Sequence, residues 1–272
     1  MLAQRVRRIK RALPFLSRAL TRCTSPCYPA RCMQWLSLIH LVYPPTCLVC
    51  QRRLSTDDAC VCAPCERAMP RAHPPVCQRC GQGLPGAYDA LALCRLCQRQ
   101  LPAFDQAGAP FRYAGAVRDA VHAFKYQGHR RLGLWLADAM AEFAQPPARM
   151  ASYDLIVPVP MHWFKQRVKG FNPAEGLAQA VGARVRQRCT RTALRRTRWT
   201  ATQTRLTRTQ RARNVRGAFR ARPNAVHGRH VLLIDDVLTT GATAHACALA
   251  LREAGASSVS VLTAAIASSS AR

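Results

Sequence analysis

Asp235 and Asp236 stand side by side at the end of an apolar run, Val231 to Ile234, and Thr239, Thr240, Gly241, Ala242 and Thr243 follow within seven residues. Threonine hydroxyls and the backbone N–H groups of a small-residue turn donate hydrogen bonds to a phosphate, with the positive end of a following helix behind them. Gly241 lets the backbone approach closely. Two carboxylates beside such a cradle repel its anion unless they hold hydroxyls or a metal ion. A ribose 5-phosphate satisfies both halves, with its phosphate in the turn and its 2′- and 3′-hydroxyls on the acids. An ordinary N-capping turn accounts for one threonine, but not for paired acids and three threonines around a glycine.

A second chemistry is written in cysteine. Eight of the fourteen cysteines form four C-x-x-C pairs, Cys47/Cys50, Cys62/Cys65, Cys77/Cys80 and Cys94/Cys97. One such turn places two thiolates on an ion, and two turns complete a tetrahedral Cys₄ site, so four pairs hold two structural Zn²⁺ ions. The spacing leaves open whether the pairs combine sequentially or interleave. Thioredoxin-like redox motifs open a helix in a βαβ unit and do not come four in a row. Cys60 and His73 stay outside the ligand set. So small a module has too little core to fold unaided, and zinc supplies the energy.

The elements that must position these groups follow from hydrophobic patterning. Val231–Ile234 reads as a strand buried on both faces, and Ala244, Cys247, Ala248, Leu251 and Ala254 mark the helix after the turn. Asp154 to Pro160 is a second buried strand. His162, Lys165, Arg167, Lys169 and Gly170-Phe171-Asn172 follow it on a loop leading into a helix from Ala174 to Arg186. Ligands of open parallel sheets bind at such carboxyl ends, so Arg167, Lys169 and Asn172 are expected to contact substrate; Lys125 is counted with them. Lys125 closes a helix that starts near Val117, and a second helix runs past Met140 until Pro146-Pro147 stops it. Phe111–Tyr113 and Val259–Ala265 read as further strands, the latter completing the sheet. Residues 191 to 222 are Arg- and Thr-rich with few apolar anchors, which suggests a mobile loop closing over the site or a nucleic-acid-binding arm.

The formal charge of +28 is nearly all arginine, since the lysines are only Lys10, Lys125, Lys165 and Lys169. Such a field attracts polyanions whatever the fold, although codon bias produces the same composition. The N-terminus lacks a continuous apolar signal region, and Trp35–Tyr43 is too short to span a bilayer, so no transmembrane segment and a cytoplasmic location are expected. The domains expected are a basic tail over 1–40, a zinc-binding module over 41–105 and an α/β domain over 106–272. Met33, just before the first cysteine pair, is an alternative start.

Two acids followed by Thr-Thr-Gly-x-Thr resemble the phosphoribosyl-pyrophosphate (PRPP) signature of type I phosphoribosyltransferases. With Phe124-Lys125-Tyr126, Pro158-Val159-Pro160 and Lys169-Gly170-Phe171-Asn172 in order behind the cysteine pairs, the chain resembles the ComF family of competence proteins over about residues 41–268. The resemblance implies a parallel sheet flanked by helices, with Asp235 and Asp236 at the ribose in the catalytic position. It places Thr239 to Thr243 at the 5′-phosphate, Arg198–Asn214 as a flexible loop, and PRPP with Mg²⁺ as ligand. It also implies a part in DNA uptake, beside a helicase-like partner. The family's Arg-Gly-Phe-Asn-Gln is Lys169-Gly170-Phe171-Asn172-Pro173 here, which keeps the charge but loses the guanidinium fork and an amide side chain. No residue stands out as a general base, so no acceptor is named. A PRPP-binding regulator without turnover and a single-stranded-DNA-binding adaptor are the competing functions. A ligand-binding acid pair carries its mutual repulsion as a cost, so Asp235→Asn with Asp236→Asn is expected to melt no lower than wild type.

Overall fold

Two ribbons, a strap and a parallel sheet follow one another along the chain. The computed structural model describes residues 44–55, 59–86, 92–145, 152–198 and 208–267, without the side chains of 165, 169, 208, 209, 211 and 212. The basic tail and Met33 lie outside the described residues. The elements belong to one compact unit, Thr46–Arg272.

The ribbons repeat one design. Cys47 N–H donates to the Arg52 carbonyl and Cys77 N–H to that of Gln82, each at 2.7 Å, closing two small antiparallel knuckles. Four residues after each first cysteine the backbone turns left-handed, at Gln51 (φ 63°) and Gly81 (φ 69°). Gly81 has a second reason: a Cβ there would lie 2.5 Å from the Ala107 carbonyl oxygen. The second cysteine pair of each ribbon opens a short helix, α1 (Ala63–Arg67) after Cys62 and α2 (Arg95–Arg99) after Cys94.

Beyond the ribbons come β1 (Gln106–Gly108), β2 (Phe111–Arg112), α3 (Gly115–His122), a π-helical turn (Ala123–Gln127) and α4 (Arg130–Ala144). Next are β3 (Leu155–Pro158), α5 (Trp163–Lys169), α6 (Pro173–Val185), β4 (Leu194–Arg196), α7 (Arg208–Val215) and β5 (Phe219–Ala221). The chain closes with α8 (Pro223–Val226), β6 (His230–Leu238), α9 (Ala242–Glu253) and β7 (Ser258–Ile266). The main sheet runs β1-β7-β6-β3, and β2 also pairs with β7; all pairings are parallel. β7 is therefore central. Its two buried polar residues, Ser260 and Thr263, are satisfied: Ser260 Oγ accepts from Gln106 Nε2 at 3.4 Å, and Thr263 Oγ1 donates to the Ala265 carbonyl at 3.0 Å.

Both faces of the sheet are covered, as its strand sequences require. Val231 and Leu233 of β6 pack toward α9, whereas Leu232 and Ile234 pack toward α3, α4 and α6. Each such fully buried side chain contributes about 1.5–3 kcal/mol. The first ribbon joins the second of these cores through Val61 and Met69, and the Pro70 and Pro110 carbonyls accept from Arg112 and Ala72 across the edge of β2. The strap after the second ribbon is tied to α9: Ala103 N–H donates to His245 Nδ1 at 3.0 Å, and Arg252 pairs with Asp105.

Two expectations need correction. The basic loop after β3 is largely the helix α5, started by His162, whose Nδ1 accepts from Phe164 N–H. Residues 191–222 are not a loop throughout. β4 and β5 pair antiparallel, and Ala193, Leu194, Val215, Ala218 and Phe219 are buried in the core with α9. Their apolar anchors are few and widely spaced, so no periodicity betrays them. Residues 199–207 lie outside the description. Among the described residues no helix is long and apolar enough to cross a membrane.

Candidate functional site

β3 stops pairing at Pro158, opposite Ile234, while β6 continues alongside β7 to Leu238. The next residues of β6 are Asp235 and Asp236, so both acids fall where one flank of their strand opens. That flank lies at the carboxyl ends of the strands, where open parallel sheets bind their ligands. Asp235 Oδ1 accepts from Asp236 N–H at 2.9 Å, and Asp236 Oδ1 from Val237 N–H at 2.6 Å.

A cation faces them. Lys125 Nζ lies 2.7 Å from Asp236 Oδ1, and both side chains are mostly buried. Burial alone would depress the ammonium, yet Asp236 and Asp235 hold its pKa above the ordinary value. Asp235 is pushed up to about 7 by burial and by the Asp236 charge, against the pull of Lys125 and Arg196. Because Asp236 has a cationic partner, its loss strands Lys125. The expectation that the double amide melts no lower than wild type is therefore withdrawn.

After Leu238 the chain turns through Thr239 and Thr240 to Gly241, whose φ of 74° opens α9. A Cβ on Gly241 would meet open space, so the turn needs glycine for its backbone conformation and not for close packing. Thr240 Oγ1 accepts from Ala242 N–H at 3.4 Å, and His245 N–H donates to the Gly241 carbonyl. Acids, Thr-Gly turn and the start of α9 thus form one continuous stretch at the carboxyl end of β6.

The remaining sequence-predicted residues divide. Asn172 is buried and caps α6: its Oδ1 accepts from Ala174 N–H at 3.2 Å, while Nδ2 donates to the Val159 carbonyl at 3.1 Å. Pro173 then occupies the first turn of α6, where a missing N–H costs nothing. This explains the departure from the family pattern locally. Arg167 is exposed on α5 with its guanidinium carbon 5.8 Å from the Trp163 ring, and the Lys169 side chain lies outside the description.

Sequence reasoning missed what ties the motifs together. The π turn carries Phe124 into the core, where its ring meets Phe171 at 6.1 Å, so the Phe-Lys-Tyr and Gly-Phe-Asn motifs touch. Gly133 of α4 makes room, since a Cβ there would lie 2.5 Å from Phe124 Cε2. Arg196 was expected only as one of many cations on a loop: it stacks on Phe219 at 5.4 Å, and its charge reaches Asp235. In a chain so rich in arginine, nothing in sequence marks one that is turned inward.

The thiolates pair sequentially. Cys47, Cys50, Cys62 and Cys65 form one quartet and Cys77, Cys80, Cys94 and Cys97 the other, each with its sulfurs within 4.8 Å of one another. Cys50 and Cys62 Sγ are 3.6 Å apart, as are those of Cys80 and Cys94. Tetrahedral zinc with bonds of about 2.3 Å sets sulfurs about 3.8 Å apart, so both quartets fit the ion. Cys77 is held down to about 4 by its hydrogen bond with Cys80, whose own thiol the same contact pushes up. Cys60 belongs to neither quartet; its thiol points at the Arg131 carbonyl of α4 at 3.6 Å.

Residues 38–99 match the double zinc ribbon domain family. The DNA utilization protein YhgH of Escherichia coli K12 is 30% identical over 171 residues, which span 62% of this chain and 75% of that protein. Competence protein F of Haemophilus influenzae is 27% identical over 62% of this chain and 76% of its own. The chain belongs to the ComF family. In that family's terms it is a mixed α/β protein with a parallel sheet and an N-terminal double zinc ribbon. Among solved structures, a glutamine PRPP amidotransferase from B. subtilis aligns with 52% of this chain and 30% of its own, at 18% identity and a TM-score of 0.37. TT1426 from Thermus thermophilus aligns with 49% of this chain and 72% of its own, at 19% identity and a TM-score of 0.26.

Proposed function

We propose that this ComF-family protein binds PRPP at the end of β6 and serves DNA utilisation during competence, its double zinc ribbon acting as structural support. The observation that carries the reading is the unbroken run from Asp235 and Asp236 through the Thr-Gly turn into α9, opening where β3 ends. In this reading the 5′-phosphate sits on Thr239–Thr243 and the ribose hydroxyls on the acids. Lys125 balances the acids, and Arg167 and Arg196 are the cations offered to the pyrophosphate. Asn172 supports the Pro160–Asn172 segment from beneath. In transfer, the bond from the anomeric carbon to pyrophosphate breaks, its electron pair leaves with pyrophosphate, and an acceptor nucleophile takes the carbon. The chain's contribution is electrostatic: acids near the cationic ring and cations near the leaving group.

At the acid pair Lys125 already lies against Asp236 Oδ1, which takes that oxygen from a magnesium ion. Magnesium belongs instead to the substrate, as the complex of its pyrophosphate. The names of the relatives, a DNA utilization protein and a competence protein, support a role in handling DNA; a cytoplasmic location and a helicase-like partner belong to the same reading. The test is thermal melting with Mg²⁺–PRPP. Wild type is expected to rise in melting temperature and Asp235→Asn/Asp236→Asn to show no rise, since only binding to the native state stabilises it. A double variant that still responds would overturn the reading.

One surface favours a second reading, in which PRPP regulates a single-stranded-DNA-binding adaptor and is not turned over. On α5, Trp163 (61% exposed) and Phe164 (48%) stand in a segment with Lys165, Arg167 and Lys169 and without any acid. Aromatics beside cations suit stacked bases, at about 1–3 kcal/mol per base. The Arg195–Arg213 stretch has only Trp199 to offer, and that residue lies outside the description. Trp163→Ala should weaken single-strand binding while leaving its salt slope unchanged.

A further inference from the structure

Two adjacent carboxylates at an anion-binding crevice need a counter-charge, and a divalent ion is the usual one. Here the protein reaches in with its own. Lys125 Nζ sits 2.7 Å from Asp236 Oδ1, with the two side chains only 21% and 16% exposed. The same oxygen accepts from Val237 N–H, so its lone pairs are taken. An inner-sphere magnesium ion wants an oxygen at about 2.1 Å in near-octahedral geometry, and this one is not available to it.

We propose that Lys125 is the resident cation of the acid pair, so that the ribose end of a phosphoribosyl ligand binds without metal and magnesium is required only by the pyrophosphate. The inference rests on the PRPP reading of the site and goes beyond it by separating the site's two electrostatic halves.

The placement of Lys125 is built and not incidental. It sits in the π turn between α3 and α4, and such turns re-aim side chains relative to a regular helix. Phe124 anchors the turn in a slot opened by Gly133 and lined by Phe171, while Gly128 (φ 72°) releases the chain on the other side. The choice of residue is also specific. Lys125 is one of four lysines among 41 basic residues. An arginine fork would take both oxygens of Asp236, whereas a compact ammonium takes one and leaves the other for a ribose hydroxyl.

Ribose 5-phosphate is the discriminating probe, because it carries the sugar and its phosphate without pyrophosphate. It is titrated calorimetrically into the full-length, zinc-loaded chain, in resin-treated magnesium-free buffer and with millimolar Mg²⁺, with no free chelator that would strip the ribbons. Wild type should bind equally in both buffers, to within about twofold. Lys125→Met should bind at least about tenfold more weakly without Mg²⁺ and regain part of the loss with it. Lys125→Arg restores the charge and should fall between the two. If wild type needs Mg²⁺ for ribose 5-phosphate, or fails to bind it while binding Mg²⁺–PRPP, the Lys125 inference falls and the PRPP site stands. A Lys125→Met protein that binds like wild type also overturns it. Should wild type bind neither ligand, the reading of the site fails and takes this inference with it. The paired wild-type titrations decide the matter even where a variant folds poorly.

Discussion

Each ribbon gathers four sulfurs within 4.8 Å of one another, whereas the end of β6 gathers two carboxylates and one ammonium. Both are clusters of anionic groups held together against their repulsion, but they are finished differently. A cysteine quartet fills every position of a tetrahedral ion, so its metal has no place for substrate and its role is to fold the chain. The acid pair is only partly compensated: Lys125 engages one oxygen, and β3 stops pairing before the acids, so one flank of their strand is unpaired. Closure marks the structural cluster, and incomplete compensation marks the candidate binding site.

The largest expected effect breaks the closed cluster. Cys62→Ser removes one thiolate from the first quartet, and Val61 and Met69 of that ribbon are part of the core shared with α3, α4 and α6. The loss should destabilise the protein by about 5 kcal/mol or more, read as a lowered melting temperature with one zinc ion fewer per chain by elemental analysis. Unchanged zinc content would show that the quartet does not hold the metal.

Next in size is the contrast within the acid pair. Asp236→Asn strands Lys125 and should cost about 2–3 kcal/mol, below the figure for a fully buried pair because both partners keep some solvent. Asp235→Asn should cost little and differ from wild type in pH dependence. The folded carboxyl titrates at about 7 against an ordinary value of 3.8, so the folded state holds the proton longer than the unfolded chain. Asp235 therefore lowers stability progressively as pH rises from about 4 to 7, and the amide should flatten that part of the curve. Burial sets this behaviour first, then the charges of Asp236, Lys125 and Arg196. Equal melting losses for the two single variants at pH 7 would erase the distinction between a paired and an unpaired acid.

How much of this was legible beforehand depended on the range of the interaction. The cysteine ligands and the Asp-Asp…Thr-Thr-Gly-Ala-Thr run are short-range patterns, and sequence spacing is enough to place them. Strand β6 announced itself as an apolar run because it is buried on both faces. The Lys125–Asp236 pair joins residues 111 positions apart and depends on a π turn, which has no periodicity of its own. Likewise β4 and β5 are three residues each and draw their burial from α9, so no local pattern distinguishes them from a loop. The pairing of the cysteine knuckles was equally invisible, since nearly even spacing permits either arrangement.

A smaller perturbation tests whether that long-range placement matters. Gly133→Ala puts a methyl group where the Phe124 ring lies and should destabilise by about 1–3 kcal/mol. If Phe124 positions Lys125, the variant should also lose affinity for ribose 5-phosphate without any change in zinc content. Stability lost with full affinity retained would mean that the slot serves packing alone.

The most direct measurement is a crystal structure with Mg²⁺ and PRPP bound. The account predicts phosphate on the Thr239–Thr243 turn, ribose hydroxyls on Asp235 and Asp236, magnesium on the pyrophosphate, and Lys125 still within hydrogen-bonding distance of Asp236. Magnesium coordinated directly by Asp236 with Lys125 displaced, or PRPP bound away from the end of β6, would contradict it.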